Sequence, residues 1–203
     1  MKTGRVIVTI LSGVLLTGPA LLFAQDIGLR IADTAESRNA GQFEVTPGAI
    51  WGQDISFYGV RETYVVSEDL RAFLDLGLVD SDGSNLDLGG QLGVVAPLPG
   101  IEFIGDLAAR TTVYYVNTDA QDTLGTDLML VSSSETLLDG LFLYGGLGMD
   151  ISYREVDYTS SGRLEINPAL SIGLMYRFND SVGVYLEASH VDGASFGAGV
   201  QIR

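Results

Sequence analysis

The chain has 203 residues, no cysteine and a formal net charge of −15, so disulfides and thiol chemistry are excluded. So acidic a chain lacks the basic surface that binding to a phosphate backbone requires, and we expect no nucleic acid partner. Hydrophobic residues nevertheless make up 46% of the sequence, and 26 residues are glycine, close to twice the usual share of about 7%. This combination is unusual for a soluble globule and fits a barrel with an apolar exterior, a polar interior and acidic loops.

The N-terminus has the layout of a secretory signal peptide. Lys2 and Arg5 provide a positive start, and residues 6–16 form an apolar core that is shorter than the roughly 20 residues needed to span a bilayer. We place cleavage after Ala24, with Ala20 as the alternative. Cleavage there would remove the two positive charges, change the net charge from −15 to −17, and leave arginine as the only strongly basic residue type.

The rest of the chain contains ten segments in which apolar and polar residues alternate. Successive side chains of a β-strand point to opposite faces, so this alternation predicts strands with one apolar and one polar face. The clearest is 164–178, where Leu164 and Leu174 share one face and Glu165 and Arg177 share the other. In chain order the predicted strands cover residues 43–51, 55–66, 70–78, 86–94, 101–117, 126–135, 141–155, 164–178, 182–190 and 196–202.

The connections between these segments alternate strictly between two classes. Tight turns lie at residues 67–69, 97–100, 138–140 and 179–181, and connections that are generally longer and richer in Asp, Ser and Thr lie at 52–54, 80–85, 118–123, 158–162 and 192–193. Short periplasmic turns and longer outer loops are typical of hairpins that cross a membrane. We therefore predict an all-β, antiparallel up-and-down transmembrane β-barrel of ten strands, with eight strands as the alternative.

A soluble β-sandwich is the competing fold, because it also has alternating strands and frequent turns. Two features favour the barrel: several predicted strands are long, at about 14 to 17 residues, and charges such as Arg110 and Asp150 lie in mid-strand on the polar face. The predicted organisation is a signal peptide at 1–24, a periplasmic N-terminal lead-in at 25–42 and an outer-membrane barrel at 43–203.

The C-terminal residues carry the most specific motif. Ser195, Gly197, Val200 and Ile202 follow the spacing polar–x–Gly–x–x–apolar–x–apolar, which resembles the C-terminal signal that the outer-membrane barrel assembly machinery recognises. That signal usually ends on an aromatic residue, whereas here Ile202 is followed by Arg203. With the signal peptide and the ten alternating segments, the chain resembles the small porin-like outer-membrane β-barrel proteins. The resemblance implies an outer-membrane location, contact with outer-membrane lipid and the assembly machinery as a partner; it implies no activity.

The polar faces of the predicted strands carry both signs of charge. A barrel of eight to ten strands is largely filled by its own side chains, and charges inside it must pair or stay hydrated. The sequence therefore predicts an ion-pair network that fills the lumen; the alternative is a narrow pore that favours cations because carboxylates outnumber arginines. The predicted lumen residues are Arg71, Asp75, Asp87, Glu102, Asp106, Arg110, Asp150, Arg154, Glu165, Arg177 and Glu187.

His190 is the only histidine, and it provides the one candidate for catalysis. A lipid hydrolase or acyl-transfer enzyme needs Ser, His and an acid in contact, but in a strand Ser189 and Glu187 point away from His190. We therefore predict no catalytic residue. The run 80–87 has acidic and amide side chains at calcium-ligand spacing but lacks the bidentate Glu of an EF-hand. We accordingly expect no metal site and no cofactor.

The sequence favours a non-enzymatic outer-membrane barrel, either structural or a narrow passive pore, and a monomer. A lipid-modifying enzyme centred on His190 is one alternative. The other is an adhesin that binds through its Asp-rich outer loops.

Overall fold

The computed structural model describes residues 28–31, 33–53, 55–81, 86–99, 105–118, 121–156 and 162–203. They form ten strands: β1 Phe43–Trp51, β2 Ile55–Ser67, β3 Leu70–Ser81, β4 Leu86–Pro97, β5 Asp106–Asn117, β6 Gln121–Glu135, β7 Leu141–Val156, β8 Gly162–Arg177, β9 Val182–His190 and β10 Ala194–Ile202. In this described part of the chain, no helix is long and apolar enough to cross a membrane.

Each strand pairs with its neighbours in the sequence, and the first strand closes the sheet against the last. The order is a closed barrel, β1-β10-β9-β8-β7-β6-β5-β4-β3-β2, with antiparallel pairing throughout. At the closing seam Gly48 lies opposite Gly199 and Ile50 lies opposite Gly197. The prediction of an all-β up-and-down barrel of ten strands is confirmed, and the eight-stranded alternative is excluded.

Four strand starts differ from the predicted ones: β8 and β10 begin two residues earlier, at Gly162 and Ala194, and β5 and β6 differ more. β6 begins at Gln121, five residues before the predicted start, because its polar first residues still pair with β5, as Asn117 with Asp122 and Tyr115 with Leu124. The hydrophobic alternation does not reveal this extension, because the first residues of β6 are polar. β5 begins at Asp106, and residues 101–104 of the predicted strand lie outside the described residues.

The strands bury one face in the lumen and expose the other. On β4, Gln91 is 3% exposed whereas its neighbour Leu92 is 61% exposed and Leu88 is 75% exposed. Such large apolar side chains pointing outward all around the sheet form the surface that a membrane-spanning barrel presents to lipid. The exposed apolar and aromatic side chains include Val60, Leu76, Val113, Leu128, Leu147, Ile166 and Leu186.

Exposed aromatic residues lie near both ends of the barrel, as expected for rings at the two membrane interfaces. Near the β1–β2, β5–β6 and β7–β8 connections lie Trp51, Tyr58, Tyr115 and Tyr153; near the opposite end lie Phe43, Tyr64, Tyr176 and Phe178. Tyr114, by contrast, points into the lumen and is 4% exposed.

The rim is uneven because the β7–β8 hairpin is longer than its neighbours. β7 and β8 pair as far as Glu155 with Gly162, whereas the described pairing of β8 with β9 starts only at Leu170 with His190. Pro168 lies in this overhang, beyond the last residue of β9, where a missing N–H removes no bond to that strand.

Candidate functional site: the barrel lumen

The lumen is occupied by the segment that precedes β1. Leu29, Ile31 and Ala35 are 0%, 2% and 1% exposed, although no strand contains them. The sequence predicts a periplasmic N-terminal lead-in at residues 25–42; in the structure, residues 28–31 and 33–38 lie against the inner side of the barrel wall. The physical reason is that wall side chains bind the backbone and the charges of this segment. We call residues 28–31 and 33–38 the lumen segment.

Wall side chains satisfy the backbone of the lumen segment directly. The amide of Leu29 donates to Oδ2 of Asp75 at 2.7 Å, and the amide of Ile31 donates to Oε1 of Glu187 at 3.1 Å. Arg61 donates to the carbonyl oxygens of both Leu29 and Ile31. Both polar backbone groups at these two alternate positions are therefore paired, as buried backbone requires.

Further along the lumen segment, the amide of Ala35 donates to Oγ of Ser133 at 2.8 Å. The carbonyl of Thr34 accepts a 2.8 Å hydrogen bond from Arg71. The wall therefore contacts the backbone from near the middle of the barrel to its periplasmic end.

Asp33 is the central charge of the lumen segment. Its carboxylate pairs with Arg71 on β3, at 2.6 Å, and with Arg38 in its own segment, and Arg38 in turn pairs with Glu44 on β1 at 2.7 Å. Burial disfavours the charged form of Asp33, but the guanidinium groups of Arg38 and Arg71 outweigh burial and hold the pKa of Asp33 at about 2, below its usual value of 3.8. Asp33 therefore stays ionised over the whole physiological range.

Two more ion pairs attach the lumen segment to the wall. Glu36 accepts a 2.5 Å bond from Arg177 near the periplasmic end. Arg30 lies 3.4 Å from Asp127, which also pairs with Arg110 at 2.7 Å. The segment thus contributes both signs of charge, and each charge meets an opposite charge on the wall or within the segment.

The wall also contains ion pairs of its own. Nε of Arg61 lies 2.7 Å from Oδ1 of Asp75, and Gln91 donates to the same carboxylate at 2.5 Å. The ring of Phe73 lies between two guanidinium groups, 4.2 Å from that of Arg61 and 5.0 Å from that of Arg110. Arginine suits such a wall because its planar group can bond carboxylates and stack on a ring together.

The outer half of the lumen has a second, smaller set of polar contacts. Arg154 pairs with Glu165 at 3.1 Å and with Asp192 at 2.9 Å. The hydroxyl of Tyr114 donates to Asp150 at 2.8 Å. Arg154 therefore joins the β7–β8 overhang to the β9–β10 turn.

The predicted lumen residues occupy several environments. Buried ones that bond the lumen segment or the wall are Arg71, Asp75, Arg110, Asp150 and Glu187. Half-buried ones are Asp87, Arg154, Glu165 and Arg177. Asp106 is exposed at the start of β5, and Glu102 lies outside the described residues.

Sequence reasoning missed Arg61, Asp127 and Glu44 on the wall and Arg30 and Asp33 in the lumen segment. For the wall residues a signal existed: Arg61 shares its strand face with Phe57, Thr63 and Val65, and Asp127 shares that of Met129 and Val131. For the lumen segment no local pattern identifies partners that lie 46 and 156 residues away.

Lumen aromatics explain part of the glycine content. A Cβ added at Gly173 would overlap the ring of Tyr144, and one added at Gly125 would overlap Tyr114. Each ring lies over a glycine on the adjacent strand, and the absence of a Cβ at that glycine leaves room for the ring. Tyr144 in that position donates to Glu187 at 3.0 Å, the acid that binds the lumen segment.

The remaining predicted features lie outside the lumen network or in loops. His190 is exposed on the outer face, whereas Ser189 points inward and its hydroxyl lies 2.6 Å from that of Ser195. Among the described residues, no group of three or more acidic or histidine side chains is placed to hold a metal ion. Residues 82–85 of the possible calcium loop lie outside the described part.

The C-terminal motif forms part of β10. Ser195 and Gly197 face the lumen, and Val200 and Ile202 are 37% and 46% exposed on the outer face. Recognition of this strand by the assembly machinery stays a prediction.

A closed ten-stranded barrel with an apolar exterior, aromatic residues at both ends and a charged interior is a transmembrane barrel of the outer-membrane, porin-like class. The resemblance and the outer-membrane location predicted from the sequence are confirmed at this level.

Among solved structures, the N-terminal β-barrel domain of OprF from Pseudomonas aeruginosa is similar at 13% identity, with a TM-score of 0.42, over 81% of this chain and 98% of that chain. A loop L8 deletion mutant of OmpT, an outer membrane protein of Vibrio cholerae, is similar at 18% identity, with a TM-score of 0.35, over 81% of this chain and 60% of that chain. No protein-family model and no curated protein sequence matches the chain.

Proposed function

We propose that this protein is a non-enzymatic outer-membrane barrel whose lumen is closed by its own N-terminal segment. The observation that carries the proposal is the burial of that segment and of the wall around it. Leu29 and Asp75 are 0% exposed, and Arg61 and Arg71 are 2% and 1% exposed. Side chains that lined a water-filled pore would be accessible to water, so this lumen is packed at its middle and periplasmic levels.

The closed state gives the barrel a structural role in the membrane rather than a passive transport role. The pore alternative draws support from the acids Asp150, Glu165 and Asp192 in the outer half. Such an excess of carboxylate would favour cations if a path opened past the lumen segment.

Conductance in planar lipid bilayers tests the closed state. We expect the purified full chain to give no steady conductance. The double variant Asp33→Arg/Glu36→Arg would place arginines against Arg71 and Arg177 and expel the lumen segment without altering any strand. We expect this variant to conduct.

The matched control is Ser37→Arg/Asn39→Arg, which adds two arginines at exposed positions of the same region. We expect it to stay closed. Steady conductance of the wild-type protein, equal to that of the double variant, would contradict the proposal and favour the pore.

The enzymatic alternative has its own test. His190 lies on the face opposite Ser189 and Glu187, so these three residues do not converge. Lipid analysis of outer membranes should therefore show the same species for wild type and His190→Ala. Loss of a modified lipid in the variant would restore the enzyme hypothesis.

A further inference from the structure

The way in which the wall binds the lumen segment has the features of a peptide-binding site. Peptide-recognition surfaces commonly gain affinity from main-chain hydrogen bonds and specificity from side-chain pockets. Here Asp75, Glu187 and Arg61 bind the main-chain groups of Leu29 and Ile31, two alternate positions of the lumen segment.

The apolar side chains of the lumen segment have fitted positions as well. A Cβ on Gly48 would lie 3.1 Å from Cδ2 of Leu29, and one on Gly146 would lie 2.9 Å from Cδ1 of Ile31. The two glycines therefore leave the space that these side chains fill. The wall thus binds the backbone of positions 29 and 31 and also provides space that fits their side chains.

Charge spacing supplies a second level of recognition. Arg71 binds Asp33 at 2.6 Å, and Arg177 binds Glu36 at 2.5 Å. The two wall arginines hold carboxylates three positions apart. A segment without acids at these positions would leave both cations without these partners.

Two ion pairs of the wall do not depend on the segment. The pair Arg61–Asp75 and the pair Arg110–Asp127, both at 2.7 Å, involve wall residues alone. Emptying the lumen would take Asp33 from Arg71 and Glu36 from Arg177. It would also take Arg38 from Glu44 and the Ile31 amide from Glu187.

The lumen segment joins the barrel through a short exposed linker. Residues 39 and 40 are exposed, and the backbone is held again where the amide of Gly41 donates to the carbonyl of Val65 at 2.8 Å. The linker lies at the periplasmic end, where β2 turns into β3. Peptides in the periplasm would reach the site by the same mouth.

We infer that the lumen is a binding site for a peptide, and that the lumen segment is its resident, exchangeable ligand. The ligand class is a peptide with apolar residues at alternate positions followed by two acids three residues apart. This inference rests on the proposed closure of the lumen and adds that the closing group is held by recognition rather than by its covalent connection.

Cleavage of the linker in the folded protein tests whether the lumen segment stays bound without its covalent link to the barrel. A specific protease sequence is inserted between Asn39 and Ala40 of the full chain, the protein is folded and the linker is then cut. We expect the released segment to co-elute with the barrel and the conductance to stay low. The uncut insertion variant and the wild-type chain treated with protease are the controls.

Exchange is then measured with a fluorescent synthetic peptide of residues 28–39 added to the cut barrel. We expect it to load the barrel, and a peptide with Asp33→Asn and Glu36→Gln to bind at least about tenfold more weakly, because two paired charges are lost. A peptide with Ser37→Ala should bind like the native one, since residue 37 is exposed.

Failure of the cut barrel to load the native peptide, or equal loading of a scrambled peptide, would overturn the inference. Those results leave the closed-lumen proposal standing if the uncut protein is non-conducting. Conductance of the uncut wild-type protein would instead remove the closure on which both proposals depend.

Discussion

At the scale of single residues, the buried arginines of the wall are the sharpest test of the lumen network. Arg110 is 3% exposed and pairs with Asp127, whose other cation, Arg30, is farther away at 3.4 Å. We expect Arg110→Ala to lower the free energy of unfolding in detergent by about 3 kcal/mol, because removing one partner leaves a buried charge poorly compensated. Thermal unfolding monitored by circular dichroism measures the change.

The control for that substitution is Arg163→Ala. The side chain of Arg163 is 80% exposed and lies 3.3 Å from Glu165, which also pairs with Arg154. Exposed ion pairs contribute little, so stability should hardly change. Equal effects of the two substitutions would argue against a paired lumen network.

A second residue-scale prediction concerns the fit of ring to glycine. Gly173→Ala should destabilise the barrel by about 1–3 kcal/mol, because the new methyl group would push Tyr144 away from its position over β8. Gly183→Ala is the comparison, since its Cβ would come no closer than 3.2 Å, to the carbonyl oxygen of Tyr176, and 3.5 Å to Cγ of Arg177. Chemical unfolding of both variants in detergent decides; a smaller loss for Gly173→Ala than for Gly183→Ala would contradict the assigned role of the ring.

At the scale of elements, the lumen segment should resist acid. Asp33 has a lowered pKa of about 2, so the stability that its ion pairs contribute is complete above its ordinary pKa of 3.8 and is lost as pH falls towards 2. The burial of Asp33 opposes this effect, but its pairs with Arg38 and Arg71 prevail. We expect bilayer conductance to stay low from pH 7 to pH 4 and to rise only below that. Opening near pH 5 would show that these pairs do not hold the segment.

Sequence predicted the strands far better than it predicted the lumen segment, and the difference has a physical cause. Each strand has one face in lipid and one in the lumen, so alternation within the strand is enough, and β1 and β9 begin and end as predicted. The conformation of the lumen segment is instead fixed by its contacts with wall residues on several strands. Its own pattern, Leu29 and Ile31 between charges, is too short to indicate where it lies.

At the scale of the whole molecule, the barrel should behave as an integral membrane protein of high thermal resistance. We expect extraction only with detergent, β-rich circular dichroism, and faster migration of the unheated protein than of the heated protein in gels. Sheet closure through the β1–β10 seam is the reason, because it leaves no unpaired edge. Recovery as a soluble periplasmic protein without detergent would contradict the fold assignment.

The direct continuity between the lumen segment and β1 has a consequence for biogenesis. β1, the strand that completes the cylinder, follows the lumen segment directly in the chain, since only residues 39–42 separate them. We therefore expect insertion of the lumen segment and closure of the β1–β10 seam to be kinetically linked. If the β1–β10 seam closed first, the lumen segment would have to enter through the periplasmic end of the barrel. Its charged side chains would then lose their hydration before they reached their partners on the wall. We expect assembly to be fastest when the β1–β10 seam closes after the lumen segment is in place.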